Sequence, residues 1–268
     1  MKREYHVFYS HVLGRNLEIL VFGHGGRPMM VFPSSDGRFF DFENFGMIET
    51  IAPFIESGKI QVFCPDSIDG ESWYANKHPA DKARRANEYD KAIAEEVVPF
   101  VHRLQGRAAG LIAHGCSFGA FHAANFYLRH PDQFEIGILL SGNYRIDFAT
   151  GGYCDENVYL NEPLKYLPNL SNPWFFDQLR KNLLIICCGQ GAWEDWRGEA
   201  QELAEIMRAK GLPCLFDMWG DDVCHDWPWW KRQIIYFLGK LDRAGMLDVD
   251  RPLDPARVNH FISEIQGI

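Results

Sequence analysis

The segment from His114 to Ala120 contains the pattern Gly-x-Ser-x-Gly, with Ser117 at its centre. A short apolar run precedes it and an alanine-rich stretch follows, which favours a sharp turn from a strand into a helix. Such a turn strains its central residue. Small residues two positions before and after it, here Gly115 and Gly119, allow the strand and the helix to cross closely without a collision. The Ser117 hydroxyl then points outward at the positive end of the helix. The pattern predicts a serine nucleophile in a nucleophile elbow; the alternative is glycines that only make a tight turn.

A serine hydroxyl needs a base to remove its proton, and His225 has the best setting among the ten histidines. It lies just beyond the last predicted strand, at the edge of the sheet where the serine emerges. We therefore predict that His225 is the general base. The alternative is a loop histidine packed among the tryptophans of residues 227–230. We interpret His114, three residues before Ser117, as a residue that shapes the turn.

A triad also needs a carboxylate that fixes the imidazole tautomer and stabilises the imidazolium. In a sheet of this kind the acid follows the strand before the histidine's strand, here the apolar run 183–188. Glu194 and Asp195 are adjacent in the loop after that run. Glu194 is favoured because it lies three residues after the turn residue Gly191. Asp195 is the alternative acid, and it could instead cap the helix that follows.

The negative charge that develops on the substrate oxygen needs two N–H donors. One comes from the residue after the nucleophile, which is Phe118. The other comes from the loop after the first parallel strand, here residues 32–37, and Ser35 is the candidate. The polar, turn-forming residues of this segment also suit an ordinary loop.

Short apolar runs alternate with amphipathic stretches along the chain, and this rhythm predicts the elements that hold these side chains. Each run is too short for a buried helix and apolar on successive residues, which is typical of a central parallel strand. The runs lie at 29–32, 60–64, 111–113, 136–140, 183–188 and 214–219. Helical periodicity occupies 86–104, the stretch from Ser117 to Pro131, and 196–210. The pattern predicts an α/β fold: a mostly parallel central sheet with helices on both faces.

Two regions depart from this rhythm. Residues 5–20, interrupted at 14–16, alternate as an N-terminal antiparallel hairpin does. Residues 143–176 are irregular and aromatic, as in an excursion or small cap. This excursion and residues 71–76 are predicted to wall the acyl or alcohol pocket; the alternative is core and subunit packing in a homo-oligomer. With no repeat or linker, we expect residues 1–268 to form a single domain.

Composition narrows the class of protein. The chain has 27 Lys or Arg and 36 Asp or Glu, a net charge of −9, which argues against nucleic acid and acidic membrane surfaces as partners. No apolar window is long enough to span a membrane, and the N-terminus lacks the apolar stretch of a signal peptide, so we expect a cytoplasmic protein. Seven cysteines, an odd number without a CxxC pair, indicate buried free thiols rather than disulfides or a zinc site.

The sequence resembles the putative esterase (esterase D-like) family of the α/β-hydrolase superfamily, which includes S-formylglutathione hydrolases, feruloyl esterases, enterochelin esterases and mycobacterial mycolyltransferases. The resemblance covers residues 21–241 and is most specific at 32–37 with 43–47, 115–119 and 225–230. It implies an α/β-hydrolase fold with Ser117 as nucleophile and His225 as base, in the chain order serine, acid, histidine. Cys116 differs from the residue common before the nucleophile, and we expect it to point away from the substrate and be inert.

These observations predict a serine carboxylic-ester hydrolase that acts on a small-molecule ester through an acyl-enzyme. Neither a dinucleotide-binding loop nor a cluster of metal ligands occurs among the motifs, so no cofactor or metal is implied. Two alternatives remain. The acyl group could pass to a second alcohol instead of water, or the chain could be a binding protein on a hydrolase scaffold that has lost catalysis.

Overall fold

The computed structural model describes residues 1–267, and its centre is an eight-stranded sheet in the order β1-β2-β4-β3-β5-β6-β7-β8. The strands from β3 onward are parallel; β2 pairs antiparallel with β4, and β1 pairs antiparallel with β2. The predicted sheet is therefore confirmed. The strands are β1 (Arg3–Ser10), β2 (Arg15–Phe22), β3 (Arg27–Phe32), β4 (Ile60–Pro65), β5 (Leu111–Cys116), β6 (Phe134–Leu140), β7 (Leu183–Cys188) and β8 (Cys214–Met218).

Helices cover both faces of this sheet, as the run pattern predicted. The α-helices are α1 (Asp41–Asn44), α2 (Met47–Thr50), α3 (Ala52–Glu56), α4 (Pro79–Ala92), α5 (Val98–Gln105), α6 (Phe118–Arg129), α7 (Asp147–Thr150), α8 (Glu156–Leu160), α9 (Pro163–Tyr166), α10 (Pro173–Leu179), α11 (Arg197–Ala209), α12 (Trp227–Arg243) and α13 (Pro255–Gln266). Alternate residues of β3 illustrate the two cores: Met30 packs on the side of α4, α6 and α11, while Met29 packs on the side of α12 and α13. Burial on both faces explains why these strands are continuously apolar.

The N-terminal hairpin turns at residues 11–14, so the predicted interruption at 14–16 lies too far along the chain. Arg15 and Asn16 already pair with Ser10 and Tyr9 in the ladder. A distant carboxylate fixes the turn, because Glu96 Oε1 accepts the N–H groups of His11 at 2.9 Å and Val12 at 3.2 Å. This support comes from about 85 residues away in sequence and is invisible to local pattern.

The long helix predicted at 86–104 is three consecutive helical segments. It begins at Pro79, where the His78 side chain accepts the Ala80 N–H, and passes through a π-helical turn at Ile93–Val97 before α5. The π turn carries Glu96, the residue that holds the hairpin turn. Gly106, with φ of 67°, ends the helix as predicted.

The excursion at residues 143–176 contains the short helices α7, α8 and α9 and the start of α10. Its first part is anchored on α11, since the Glu199 carboxylate accepts the N–H groups of Tyr144 at 2.5 Å and Arg145 at 2.9 Å. The first part of the excursion thus lies beside the ends of β6 and β7, whereas its later part packs against the C-terminal end of α6, where Arg129 binds Asn161. The single-domain organisation stays a prediction.

Candidate active site

Ser117 lies between β5 and α6 with φ of 57° and ψ of −127°. Residues other than glycine rarely adopt this backbone conformation. The two flanking glycines are required by space. A Cβ on Gly115 would overlap the backbone of Gly119, and one on Gly119 would overlap the Phe32 carbonyl. The strained turn that the Gly-x-Ser-x-Gly pattern predicted is therefore present, and its strain directs the Ser117 hydroxyl away from the sheet.

His225 meets this hydroxyl from the loop after β8. Its Nε2 lies 2.9 Å from Ser117 Oγ, a hydrogen-bond distance, although 108 residues separate the two in sequence. The His225 N–H donates to Ala192 O at 3.0 Å, which ties the histidine loop to the loop after β7. The rings of Trp230 and Trp196 contact the imidazole edge-to-face, with centroids at 5.0 and 5.5 Å. These tryptophans fix the plane of the ring.

Glu194 lies behind His225, with Oε2 at 3.8 Å from His225 Nδ1. This distance is longer than a hydrogen bond but within the range of an ion pair with a protonated imidazole. Glu194 is 2 % exposed. Burial acts to raise its pKa, but the neighbouring His225, the Ser141 hydroxyl and the Gly189 N–H together lower the pKa below its ordinary value. The carboxylate is therefore held ionised beside the imidazole.

Asp195 is not part of this arrangement. Its side chain is exposed, and within residues 1–267 it makes no hydrogen bond or ion pair. It does not cap the following helix either, since α11 begins after Trp196 without a side-chain cap. Asp226, which neighbours His225, accepts the Trp227 N–H at 2.7 Å and caps α12. The geometry thus brings Glu194, and not Asp195, to the histidine.

Ser141 is a site residue that sequence reasoning missed. Its Oγ donates to Glu194 Oε1 at 2.6 Å and accepts the indole N–H of Trp230 at 3.0 Å. Ser141 follows β6 with a positive φ of 50° and is buried. The positive φ of this non-glycine residue is the feature that marks Ser141 as unusual. Because the backbone angle is known only from the structure, no signal in the sequence points to it.

The two predicted oxyanion donors border the nucleophile. Phe118 follows Ser117 at the first turn of α6, and Ser35 lines the same cavity as Ser117. Within the described chain neither N–H donates a hydrogen bond to a protein group, while the neighbouring loop amides Asp36 and Gly37 are both used. Both N–H groups are therefore free to bind an oxygen.

The cavity above Ser117 has a volume of about 320 Å³ and is lined by residues from both segments predicted to wall the pocket, 71–76 and 143–176. Tyr74 comes from 71–76, and Arg145 and Phe148 come from the excursion. The rings of Tyr74 and Phe148 contact each other, and both contact Phe118, with centroids 5.3 to 5.7 Å apart. A second cavity of about 460 Å³ is lined by Arg129 and by residues of the excursion such as Tyr159 and Phe175, so the later part of the excursion lines this cavity; none of the predicted triad or oxyanion residues lines it.

Two further residues singled out by the sequence, His114 and Cys116, lie in the core. His114 is fully buried, its Nδ1 is 2.8 Å from Ile138 O, and burial lowers its pKa to about 4. Cys116 is buried in the core on the side of α12 and α13, and burial raises the pKa of its thiol. All seven cysteines are free, as expected, but burial is incomplete: Cys154 is exposed, and Cys214 and Cys224 are half-buried.

Three features define an α/β-hydrolase fold: the order of the strands, the strained turn at Ser117, and the loops after β7 and β8 that meet this turn. Solved structures share it. A ferulic acid esterase superposes with a TM-score of 0.71 at 18% identity, over 90% of this chain and 97% of that chain. An S-formylglutathione hydrolase from Staphylococcus aureus gives 0.63 at 15% identity, over 89% and 97%. One from Agrobacterium tumefaciens gives 0.67 at 11% identity, over 88% and 93%.

The chain belongs to the esterase family described as "Putative esterase", whose model matches residues 10–241. This match confirms the resemblance inferred from the elbow and the histidine loop, and it supports a hydrolase. A search of curated proteins by sequence found no match. No helix within residues 1–267 is long and apolar enough to cross a membrane. The cytoplasmic location stays a prediction.

Proposed function

We propose that the protein is a serine carboxylic-ester hydrolase that works through an acyl-enzyme, with Ser117 as nucleophile, His225 as base and Glu194 as the acid. The observation that carries this proposal is the 2.9 Å contact between Ser117 Oγ and His225 Nε2. The strained turn and the membership in an esterase family point the same way. The buried, ionised Glu194 supports its choice over Asp195.

In this mechanism Ser117 Oγ attacks the acyl carbon while its proton passes to His225 Nε2. The substrate oxygen becomes an oxyanion that accepts hydrogen bonds from the Phe118 and Ser35 N–H groups. The imidazolium is stabilised by the Glu194 carboxylate and donates its proton to the leaving alcohol as the ester bond breaks. A water molecule then gives a proton to His225 and attacks the acyl carbon of the acyl-enzyme. As the bond to Ser117 Oγ breaks, His225 returns the proton to Ser117 and the acid is released.

The experiment uses short p-nitrophenyl esters and a fluorescent fluorophosphonate with purified protein. The parent should hydrolyse the esters and become labelled on serine. Ser117→Ala should do neither, because loss of a nucleophile in a serine enzyme costs up to about a millionfold in kcat. His225→Gln should fold and lose activity to a similar degree.

Two outcomes would replace the proposal. A parent that shows only the residual rate of Ser117→Ala and is not labelled would be a non-catalytic binding protein on this scaffold. A parent that labels normally, releases p-nitrophenol, and forms a new ester when a second alcohol is supplied in preference to water would be an acyltransferase. Measuring free acid and transferred ester in the same reaction separates these two activities.

A further inference from the structure

A buried histidine–aspartate pair, separate from His225 and Glu194, lies behind the candidate oxyanion loop and takes no part in the proton transfers above. His122 Nε2 is 2.8 Å from Asp69 Oδ1, and the two residues are 7 % and 2 % exposed. His122 belongs to α6, the helix that starts at the nucleophile, and Asp69 follows β4. Burying two such polar groups is costly unless each is hydrogen-bonded, so both are expected to have a defined task.

The other oxygen of Asp69 reaches the loop that carries Ser35. Asp69 Oδ2 accepts the Asp36 N–H at 3.3 Å, and the loop closes on itself through the Gly37 N–H to Ser34 O at 2.8 Å. Asp36 has a positive φ of 51°, which is uncommon for a residue with a side chain. The Asp69 contact therefore supports a strained turn whose first central residue is Ser35.

His122 also reaches the first oxyanion donor. It lies four residues after Phe118 on the same face of α6, and the two rings meet edge-to-face with centroids 4.9 Å apart. Phe32, at the end of β3 just before the oxyanion loop, lies 6.5 Å from the imidazole on another side. The His122 imidazole thus contacts the side chain of Phe118, the first donor residue. Through Asp69 it also holds the Asp36 N–H, which follows Ser35, the second donor residue.

We infer that His122 and Asp69 are positioning residues that set the oxyanion hole by joining α6 to the Ser34–Gly37 turn. The inference rests on the proposed function, because it assigns the pair to the charge that develops during ester attack. An oxyanion hole works only if its donors are fixed before the charge forms. Loss of the pair should therefore reduce transition-state stabilisation while leaving substrate binding in place.

The test compares Asp69→Ala with Asp69→Asn and His122→Gln. The alanine removes the acceptor for Asp36 N–H and should lower kcat about a hundredfold, the scale of losing one oxyanion donor, with KM within threefold. Asp69→Asn retains an oxygen for the Asp36 N–H, and Gln can present a donor where His122 Nε2 lies, so both should stay within about tenfold of the parent.

An aryl trifluoromethyl ketone, which forms a tetrahedral adduct with a serine, isolates the oxyanion readout. Its inhibition constant should rise with Asp69→Ala by about the same factor as kcat/KM falls, whereas inhibition by the free acid product should not change. A merely structural role would not separate these two inhibitors. The matched control is Asp90→Ala, which removes the partner of His130 at the C-terminal end of α6 and should keep kcat within threefold. In this pair His130 Nε2 and Asp90 Oδ1 are 3.0 Å apart.

Hydrogen exchange provides a readout that does not depend on activity. In Asp69→Ala, amides of a peptide covering residues 33–40 should exchange at least tenfold faster, and in Asp90→Ala they should not. Parent-like kcat, ketone inhibition and exchange in Asp69→Ala would overturn the inference. A parent protein that neither hydrolyses esters nor labels at Ser117 would instead refute the proposed function, and the exchange result would still decide whether Asp69 holds the loop. If Asp69→Ala fails to fold, His122→Phe with the same measurements takes its place.

Discussion

Ser141 Oγ donates a 2.6 Å hydrogen bond to Glu194 Oε1, and this contact joins the loop after β6 to the loop after β7. The same hydroxyl accepts the Trp230 indole N–H, and Trp230 in turn packs against His225. Glu194 therefore has one oxygen directed to the imidazole and the other held by Ser141 and by the Gly189 N–H at 3.1 Å. The acid of the proposed triad is positioned from two sides.

Ser141→Ala should lower kcat by about ten- to a hundredfold, the range expected when a hydrogen bond to a charged group is lost. The pKa of Glu194 should rise, since one of the groups that lowers it is gone. The carboxylate would then be protonated at higher pH, so the acid side of the pH–rate profile should move upward. A pH series of kcat/KM on a p-nitrophenyl ester measures both effects.

Ser141→Gly separates the hydroxyl from the backbone strain. Glycine accepts the φ of 50° more readily than alanine but also lacks the hydroxyl. If the hydrogen bond matters, both variants should lose kcat to a similar extent. A glycine variant with parent-like kcat would show that the alanine effect comes from the backbone.

Glu194→Gln and Asp195→Asn decide the acid. An amide in place of the triad carboxylate favours the wrong imidazole tautomer and costs about four orders of magnitude in kcat in the well-studied serine protease case. We expect a loss of at least a thousandfold for Glu194→Gln. Asp195→Asn serves as the matched neighbour and should stay within twofold, because Asp195 is exposed. The opposite ranking would reassign the acid to Asp195.

The aromatic wall formed by Tyr74 and Phe148, which pack on the buried Phe118, predicts a preference for esters with an aromatic acyl or alcohol group. Phe148 is 57% exposed beside the nucleophile, a position suited to contact a ligand ring. Phe148→Ala should reduce kcat/KM for p-nitrophenyl benzoate about two- to tenfold more than for the acetate, because an aromatic pair contributes about 0.5–1.5 kcal/mol and about 1.4 kcal/mol corresponds to tenfold. Trp174 is an exposed aromatic residue outside this cavity. Trp174→Ala should therefore leave the ratio of kcat/KM for the benzoate to kcat/KM for the acetate unchanged.

Sequence predicted the parts of this site that obey local rules. The elbow at Ser117 needs glycines at fixed offsets, and the strands buried on both faces of the sheet read as apolar runs. The position of His225 beside Ser117 could be predicted because in this fold the histidine of a triad follows the last strand. Glu194 could be favoured, but only its burial and its partners separate it from Asp195.

The rest depends on contacts between distant segments. Ser141 lies in an unremarkable sequence, and its role arises because β6 and β7 are neighbours in the sheet. The hairpin turn is set by Glu96 rather than by its own residues. Helix α12 went unrecognised because its start, Trp227 and Pro228, reads as part of the histidine loop, although proline is well suited to a first helical turn.

The buried His114 predicts a pH dependence of stability that is separate from catalysis. Its Nδ1 pairs with Ile138 O, while its Nε2 is buried without a partner, so a second proton would have no acceptor. Burial accordingly lowers its pKa to about 4, from about 6.5 in an unfolded chain. Between these values the unfolded state binds more protons, so stability falls as the pH drops from about 6.5 to 4.

The shift corresponds to about 3 kcal/mol across that interval. His114→Asn retains a donor for Ile138 O and cannot be protonated, so its free energy of unfolding should depend less steeply on pH by about this amount, even if the variant is less stable at pH 7. Denaturant titrations at pH 7, 5.5 and 4.5 give the slope. His260→Asn, an exposed histidine on α13, should retain the slope of the parent. A His114→Asn slope equal to that of the parent would mean that other groups cause the acid sensitivity of the fold.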